Sequence, residues 1–303
     1  VYYYQIQDVE ARSAMSFAIF SDPSCNLPRA QLEEFQVQII PASYEREGKL
    51  IPCPRYPEEF DGREYYNYLR NKGVVKTSLI PAGQMEDAFR PVLAGGKDVL
   101  YITLSSGISG TVAAGFQAAQ ALAEEFPERQ VRVLDSMGAG FGIGLLLGRA
   151  SDYQKAGLSL AETYTLVERD RDNLCEFFTV DDLMFLRRTG RLSGVTATLG
   201  TMLQLKPLLR GDESGHITVF NKVRGRKRAV ETLAGLYRKR VCRPETQRVY
   251  ISHGDCPEEA EQLAQMVRDI AQPKELIVCL HEPLTGAHVG PGMLALFFLS
   301  EGR

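Results

Sequence analysis

The feature that most constrains this fold is an apolar run that passes directly into a serine- and glycine-rich loop and then into an alanine-rich helix. Asp98–Leu104 predicts a buried strand, and the loop Leu104–Thr111 reads LSSGISGT. Further short apolar strands are predicted at Ser16–Phe20, Gln36–Ile40 and Arg129–Leu134. Because strands and helices alternate, the pattern predicts an α/β fold wound around a parallel sheet.

The second half of the chain repeats the alternation. Its predicted strands are Phe177–Val180, Ile217–Lys222, Arg248–Ser252 and Leu276–Leu280, and its predicted helices are Asp182–Arg188, Ala197–Leu203, Arg228–Arg240 and Glu258–Ile270. A chain of 303 residues exceeds the usual size of one domain. We predict an N-terminal wound parallel-sheet domain, residues 16–165, and a C-terminal α/β domain, residues 166–303. Residues 1–15 fit neither pattern and are predicted to be a native extension or an expression remnant.

Two segments of the first half lack a regular pattern. Ser43–Gly62 is rich in Pro, Glu and Arg and predicts a long surface loop. A short helix is predicted at Glu64–Arg70, followed by a loop at Lys76–Ser78. Hydroxyl side chains this close to Pro81 usually form turns, so composition alone favours a structural role for Thr77 and Ser78.

Composition excludes several classes of function. A net charge of −3 gives no general attraction to nucleic acid or to anionic membranes. The six cysteines are scattered without a C-x-x-C motif, which predicts reduced thiols and a cytoplasmic protein. The longest apolar run, Met293–Leu299, is too short to span a bilayer. His281 and His288 lie seven residues apart, which is not a metal-ligand spacing, so no metal or cofactor is predicted.

The loop LSSGISGT is the strongest chemical signal in the chain. Free N–H groups and the dipole at a helix start form an anion site, and Ser105, Ser106 and Ser109 add donors beside Gly110. The alternative is that Ser109 only caps the helix. The loop lacks the Gly-Lys-Ser/Thr ending of a Walker motif, the dinucleotide G-x-G-x-x-G and the nucleophile motif G-x-S-x-G.

The remaining candidate functional residues are two groups of basic residues and one histidine. Residues 222–228 carry five basic side chains, and Arg187, Arg188 and Arg191 form a second group. Two basic patches on a chain that is not basic overall fit either a solvated surface or a docking face for an acidic partner. His288 lies in Ala287–Gly292 (AHVGPG), where a rigid turn precedes an apolar strand; by composition alone it is a structural histidine.

Taken together, the motifs resemble one family. The order is Lys76–Ser78 (KTS), LSSGISGT, Gly190–Ser193 (GRLS), Val223–Gly225 (VRG) and AHVGPG. This set resembles the DegV family over roughly residues 16–301. The members of that family include the fatty-acid-binding subunits of bacterial fatty-acid kinase.

The resemblance implies a DegV-like fold of two α/β domains with a long-chain fatty acid buried in a tunnel between them. By the family pattern, Thr77, Ser109 and His288 surround the carboxylate. Their supporting loops contain Ser78, Ser105, Ser106 and Gly110.

The resemblance also implies a division of labour. The protein would be a carrier without catalysis of its own, and a separate ATP-dependent fatty-acid kinase would phosphorylate the carboxylate. Arg191 and Arg224 are the residues implied in working with that kinase. Two alternatives stay open: an acyl hydrolase or transferase using Ser109 and His288, and a regulator that binds a phosphate ligand. The sequence departs from the family pattern at Asn26, where an acid is usual, and at Leu79–Ile80 after the KTS motif.

Overall fold

The computed structural model describes residues 17–193 and 205–302. The first half contains β1 (Phe17–Ser21), α1 (Arg29–Glu34), β2 (Val37–Ile39), β3 (Ser43–Arg46), β4 (Lys49–Pro52), α2 (Gly62–Arg70), β5 (Val75–Thr77), α3 (Ala82–Ala94), β6 (Asp98–Thr103), α4 (Thr111–Glu125), β7 (Val131–Asp135), α5 (Phe141–Lys155) and α6 (Leu160–Arg171). The second contains β8 (Leu174–Thr179), α7 (Met184–Arg188), β9 (Leu205–Gly211), β10 (Ile217–Arg224), α8 (Arg226–Arg240), β11 (Arg248–His253), α9 (Pro257–Ile270), β12 (Glu275–Leu280), α10 (Pro283–Val289) and β13 (Leu294–Leu299).

The first sheet is parallel and has the strand order β2-β1-β6-β7. Its central strand β6 is buried from Val99 onward, because helices cover both faces of the sheet. Apolar residues of α3 and α4, including Phe89 and Ala118, pack on one face. The other face packs on α5, whose glycine-rich first half is buried almost completely. The α/β fold with a parallel sheet is therefore confirmed.

The second sheet is mixed and has the order β10-β9-β8-β13-β11-β12, with only β11 and β12 parallel. Strand β13 shows how it is packed, since successive side chains of a strand point to opposite faces. Leu294, Leu296 and Phe298 join the core under α8 and α9. Ala295 and Phe297 face the other way and join the core that contains α5. The second sheet therefore packs against the first half of the molecule.

The predicted surface loop at Ser43–Gly62 is wrong. The segment contains β3 and β4, which form an antiparallel three-stranded sheet of order β4-β3-β5. Glu47 and Gly48 both have positive φ, as a two-residue hairpin turn of type I′ requires. Strand β5 includes Lys76 and Thr77, so the loop predicted at Lys76–Ser78 is also wrong over most of its length. The sequence pattern does not reveal this sheet, because β5, which completes it, lies far along the chain and because the outer face of the hairpin is mostly polar.

The remaining predictions had mixed outcomes. The helices predicted at Arg228–Arg240 and Glu258–Ile270 are confirmed to within two residues, as α8 and α9. Helix α3 was not predicted, and it contains Pro91 in its interior. Residues 1–15 and the helix predicted at Ala197–Leu203 lie outside the described residues. Residue 165 falls within α6, and the domain boundary there stays a prediction. No described helix is both long and apolar enough to cross a bilayer.

Candidate functional site

A cavity lies between the two large sheets. Its empty volume is about 1270 Å³, a figure that includes the solvent space at its open mouth. Both halves of the chain contribute to its wall. The apolar part of the wall includes Leu104, Ile108, Phe178, Ile217, Met293 and Phe297. This surface fits a ligand that is mostly hydrocarbon.

The parallel topology explains where the cavity lies. The carboxyl ends of β1, β6 and β7 lie on the same edge of their sheet, and each is followed by residues of the cavity wall. These residues are Asp22 after β1, Leu104 after β6, and Met137 to Ala139 after β7. Ligands of open α/β sheets bind at this edge, where the loops leave the strands. The second sheet closes the cavity from the opposite side with residues of β8 and β13.

Thr77 and His288 meet at the cavity wall. Thr77 Oγ1 lies 2.8 Å from His288 Nε2, although the two residues are 211 positions apart. Burial lowers the pKa of His288 to about 4, with a further contribution from the nearby charge of Arg191, so the ring is neutral near pH 7. His288 lies in the last turn of α10 and not in the turn that the sequence predicts. Its Nδ1 is buried and has no hydrogen-bond partner among the described residues.

Ser109 also lines the cavity. Its Oγ is 2.9 Å from Thr111 Oγ1 and also accepts a hydrogen bond from the Thr111 N–H at 3.3 Å. Gly110 occupies the N-cap position of α4, also on the wall. Ser109 thus hydrogen-bonds the first residue of α4 and also lines the cavity, and its contact with a ligand stays a prediction.

The loop before Ser109 is held mainly by its own hydrogen bonds. Four of its N–H groups, those of residues 106 to 109, already donate to protein acceptors. Ser105 is buried, and its Oγ donates to Gly215 O at 2.9 Å, which fixes the loop to the second half of the molecule. Ser106 is exposed and its N–H donates to Asp135 Oδ1 at 3.2 Å. Ser105 and Ser106 therefore support the wall from behind, whereas Ser78 lies on it.

The two arginines that the family pattern groups together lie apart. Arg191 is on the cavity wall, where its Nε donates to Ile108 O at 3.2 Å. It forms no ion pair with a carboxylate in residues 17–193 and 205–302. Arg224 is exposed at the end of β10, seven residues beyond the wall residue Ile217. At the rise of an extended strand, that separation is roughly 23 Å.

A buried polar cluster lies around Asp22, beside the cavity. Asp22, which directly follows β1, is buried. Its Oδ2 accepts hydrogen bonds from Tyr101 at 3.0 Å and Thr103 at 2.6 Å, and its Oδ1 accepts from the Ser24 N–H at 3.0 Å. Tyr101 and Thr103 are far from Asp22 in the sequence and approach it only in the folded protein, whereas Ser24 is two residues away. The only sequence signal was the polar pair Ser21-Asp22 directly after an apolar strand.

A second buried cluster forms at the start of α10. His281 Nδ1 lies 3.0 Å from Ser252 Oγ, and its Nε2 lies 2.7 Å from Thr285 Oγ1. Burial lowers the pKa of His281 to about 3, and His253 adds to the effect. Glu282 caps α10 by accepting the N–H groups of residues 284 and 285, and burial raises its pKa to about 7. In the described part of the chain, His, Cys, Asp and Glu form no group that could hold a metal ion.

The fold and the site define a class: an α/β protein with a large, mostly apolar ligand cavity between two sheets and a small set of polar groups on its wall. The family model described as "Uncharacterised protein, DegV family" matches residues 16–301. The chain belongs to the DegV family.

Individual relatives agree over nearly the full length. A DegV domain-containing protein of Clostridium perfringens is 32% identical over 293 residues, covering 95% of this chain and 98% of the relative. A solved structure from Thermus thermophilus, described as fatty acid binding of a DegV family protein, has 27% identity and a TM-score of 0.83, covering 94% of this chain and 100% of that chain. A fatty acid binding DegV family protein from Streptococcus agalactiae has 25% identity and a TM-score of 0.81, with coverages of 95% and 100%.

Proposed function

We propose that this protein is a carrier that binds a long-chain fatty acid in the cavity between its sheets. The observation that carries the proposal is the mostly apolar cavity whose lining includes Thr77, Ser109 and His288. The relatives from Thermus thermophilus and Streptococcus agalactiae, which share the fold over nearly their whole length, are described as binding fatty acids.

The carboxylate is held by hydrogen-bond donors and one positive charge. Thr77 and Ser109 offer hydroxyl groups on the cavity wall. With its proton on Nε2, the neutral ring of His288 donates to Thr77 Oγ1 and leaves the Thr77 hydroxyl free to donate to the carboxylate. Arg191 supplies a positive charge among the lining residues and forms no ion pair with a carboxylate of the described residues. Ser78 and Gly110 complete the wall around these groups. A carboxylate leaving water requires such partners, because an unpaired buried charge is costly.

Burial of the hydrocarbon tail supplies most of the affinity. A sixteen-carbon acid has about 14 methylenes, and burying each contributes roughly 0.8 kcal/mol, or about 11 kcal/mol in total. The cost of immobilising ligand and side chains is subtracted from that figure. The polar groups therefore set the orientation of the ligand, and the apolar wall sets the strength of binding.

The proposal includes presentation of the carboxylate to a separate ATP-dependent fatty-acid kinase. Arg191, on the cavity wall, is suited to act near the phosphorylated oxygen. Arg224 lies roughly 23 Å along β10 from the wall and is suited to contact the kinase itself. Lys222, Lys227 and Arg228 are exposed in the same region and would extend a basic docking face.

The hydrolase alternative has less support than the carrier. A nucleophilic serine requires a base within hydrogen-bond reach. Here Ser109 Oγ is paired with Thr111, and His288 Nε2 is paired with Thr77. The phosphate-binding alternative is weakened in the same way, because four N–H groups of the loop are already bonded within the protein.

The proposal is tested by titrating the lipid-stripped protein with palmitate and by native mass spectrometry of the protein as purified. Thr77→Val is expected to weaken palmitate binding by about tenfold, because one hydrogen bond to the carboxylate is lost. Thr165→Val is the matched control, since Thr165 is exposed and bonds only within its own helix, to Ala161 O at 3.0 Å. Absence of palmitate binding by the wild-type protein would refute the carrier.

Two further measurements address the kinase and the hydrolase. Incubation with the kinase, ATP and fatty acid is expected to yield an acyl phosphate, and Arg224→Ala is expected to reduce its formation while palmitate affinity stays unchanged. Turnover of an acyl ester by the protein alone, abolished in Ser109→Ala, would instead support the hydrolase.

A further inference from the structure

The floor of the cavity is built by two neighbouring strands of the second sheet. On β8, Glu176 and Phe178 face the cavity, and on β13, Ala295 and Phe297 do so. Antiparallel pairing places Phe178 opposite Ala295 and Glu176 opposite Phe297. Ala295 is thus a small side chain in a floor that is otherwise formed by larger ones. The cavity keeps its depth at this position because Ala295 fills so little space.

Phe297 is the last residue of β13 on the cavity wall, and His281 lies on the wall as well. On the next strand, β11, the residues opposite Ala295 and Phe297 are Ser252 and Tyr250, and neither lies on the wall. The Phe297 ring is backed by the ring of Phe141, with 6.1 Å between their centroids. Ser252 is covered by its hydrogen bond to His281.

Phe297 and His281 close this end together. A Cβ placed on Gly140 would lie 3.1 Å from His281 Cε1 and 3.6 Å from Phe297 Cζ, so the two rings converge beside one glycine. Gly140 has positive φ and therefore also resists a side chain through its backbone. The absence of a side chain at Gly140 thus lets the two rings approach each other.

His281 can form part of an apolar end wall because both of its ring nitrogens are within hydrogen-bond distance of protein hydroxyl groups. Burial also keeps the ring neutral. The edge that it turns toward Gly140 is carbon. His281 precedes α10 and His288 lies in its last turn, so the two histidines are at opposite ends of that helix and the end wall is distinct from the proposed carboxylate position.

We infer that Phe297 and Ala295 determine which acyl chain lengths this protein accepts. The inference rests on the proposed fatty-acid-binding function and extends it from the ligand class to the residues that select within the class. Phe297 blocks the methyl end of the tail at the end of the cavity. The small side chain of Ala295 leaves space for the carbons of the tail that come before it. A larger side chain at 295 excludes the last carbons of a long tail, and a smaller one at 297 admits more.

The experiment measures the affinities of lipid-stripped protein for laurate, myristate, palmitate, stearate and arachidate. Ala295→Leu adds three carbons and displaces roughly two methylenes, so the stearate-to-myristate affinity ratio is expected to fall by about tenfold. Phe297→Leu opens the end wall, so the arachidate-to-palmitate ratio is expected to rise by about fourfold for one added methylene. Thermal melts confirm that each variant is folded.

Phe298→Leu is the matched control. Phe298 is the next residue on β13 but points to the opposite core, against Tyr237 and Phe177. It is expected to lower thermal stability without changing the order of preference. If the wild-type protein binds fatty acids and both cavity variants keep its order of preference, the inference is wrong and the proposed function stands. If the wild-type protein binds none of the five acids, both are wrong.

Discussion

Glu282 offers a sharp test of the buried polar cluster through the pH dependence of stability. The residue is 3% exposed, and its carboxyl oxygens accept the N–H groups of residues 284 and 285 at 2.5 and 2.8 Å. Burial raises its pKa from 4.5 to about 7 even with these hydrogen bonds, and the nearby charge of Asp22 adds to the rise. The substitution Glu282→Gln keeps the acceptor that caps α10 and removes the titration.

The sign follows from proton binding in the two states. Between pH 4.5 and 7 the unfolded chain has lost the Glu282 proton, whereas the folded protein still holds it. Raising the pH therefore favours unfolding, and the contribution of Glu282 to stability is full below pH 4.5 and lost as the pH rises through about 7. At about 1.4 kcal/mol per pH unit, the loss over this window amounts to about 3 kcal/mol.

The assay is urea unfolding of lipid-stripped wild-type and Glu282→Gln protein at several pH values from 4.5 to 8. The free energy of unfolding of the variant, relative to wild type, is expected to rise by about 3 kcal/mol across this range. Histidine titrations are common to both proteins and cancel in the difference. Asp61→Asn makes the same chemical change at the exposed cap of α2, which Asp61 forms by accepting the Glu64 N–H at 3.0 Å. A difference between Glu282→Gln and wild type that stays constant with pH would refute the reasoning.

Three further predictions concern other contacts. Arg248→Met removes the ion pairs with Asp152 at 2.7 Å and Glu34 at 3.4 Å, which join the two halves of the chain, and the ion pair with Glu275 at 3.3 Å. Because these carboxylates are partly exposed, the substitution is expected to lower the free energy of unfolding by about 1–2 kcal/mol in urea titrations, and no measurable effect would contradict it. Ser105→Ala leaves Gly215 O without its donor and is expected to cost about 1–3 kcal/mol in the same assay, whereas no loss would show that the loop is held otherwise. The ring of His281, with a pKa of about 3, is expected to stay neutral at pH 5, and an imidazolium signal in NMR spectra there would show that it is not buried as described.

The elements that the sequence predicted correctly depend on short-range patterns of residues. The strand Asp98–Thr103 and the helix Thr111–Glu125 flank LSSGISGT as expected, because an apolar run, a small-residue loop and an alanine-rich segment each act over short range. The motif set also indicated the DegV family before the fold was known. Each of these signals is written in consecutive residues, so no long-range contact was needed to find it.

Short elements with distant partners could not be predicted in this way. The hairpin of β3 and β4 is too polar to show an apolar pattern and is completed by β5, more than twenty residues later. Its strands are stabilised by that pairing and by the burial of Tyr44, and not by local propensity. The sequence therefore indicated a loop where the structure has a sheet.

The arrangement of the site was decided by the tertiary structure alone. Thr77 and His288 are 2.8 Å apart only because β5 and α10 pack together across 211 positions. The buried cluster around Asp22 and the altered acidities of His281 and Glu282 exist for the same reason, since desolvation depends on the atoms that surround a group. The sequence by itself determined which chemical groups this protein carries and its local secondary structure. Distance, burial and charge environment arise only when the folded chain brings separate segments into contact.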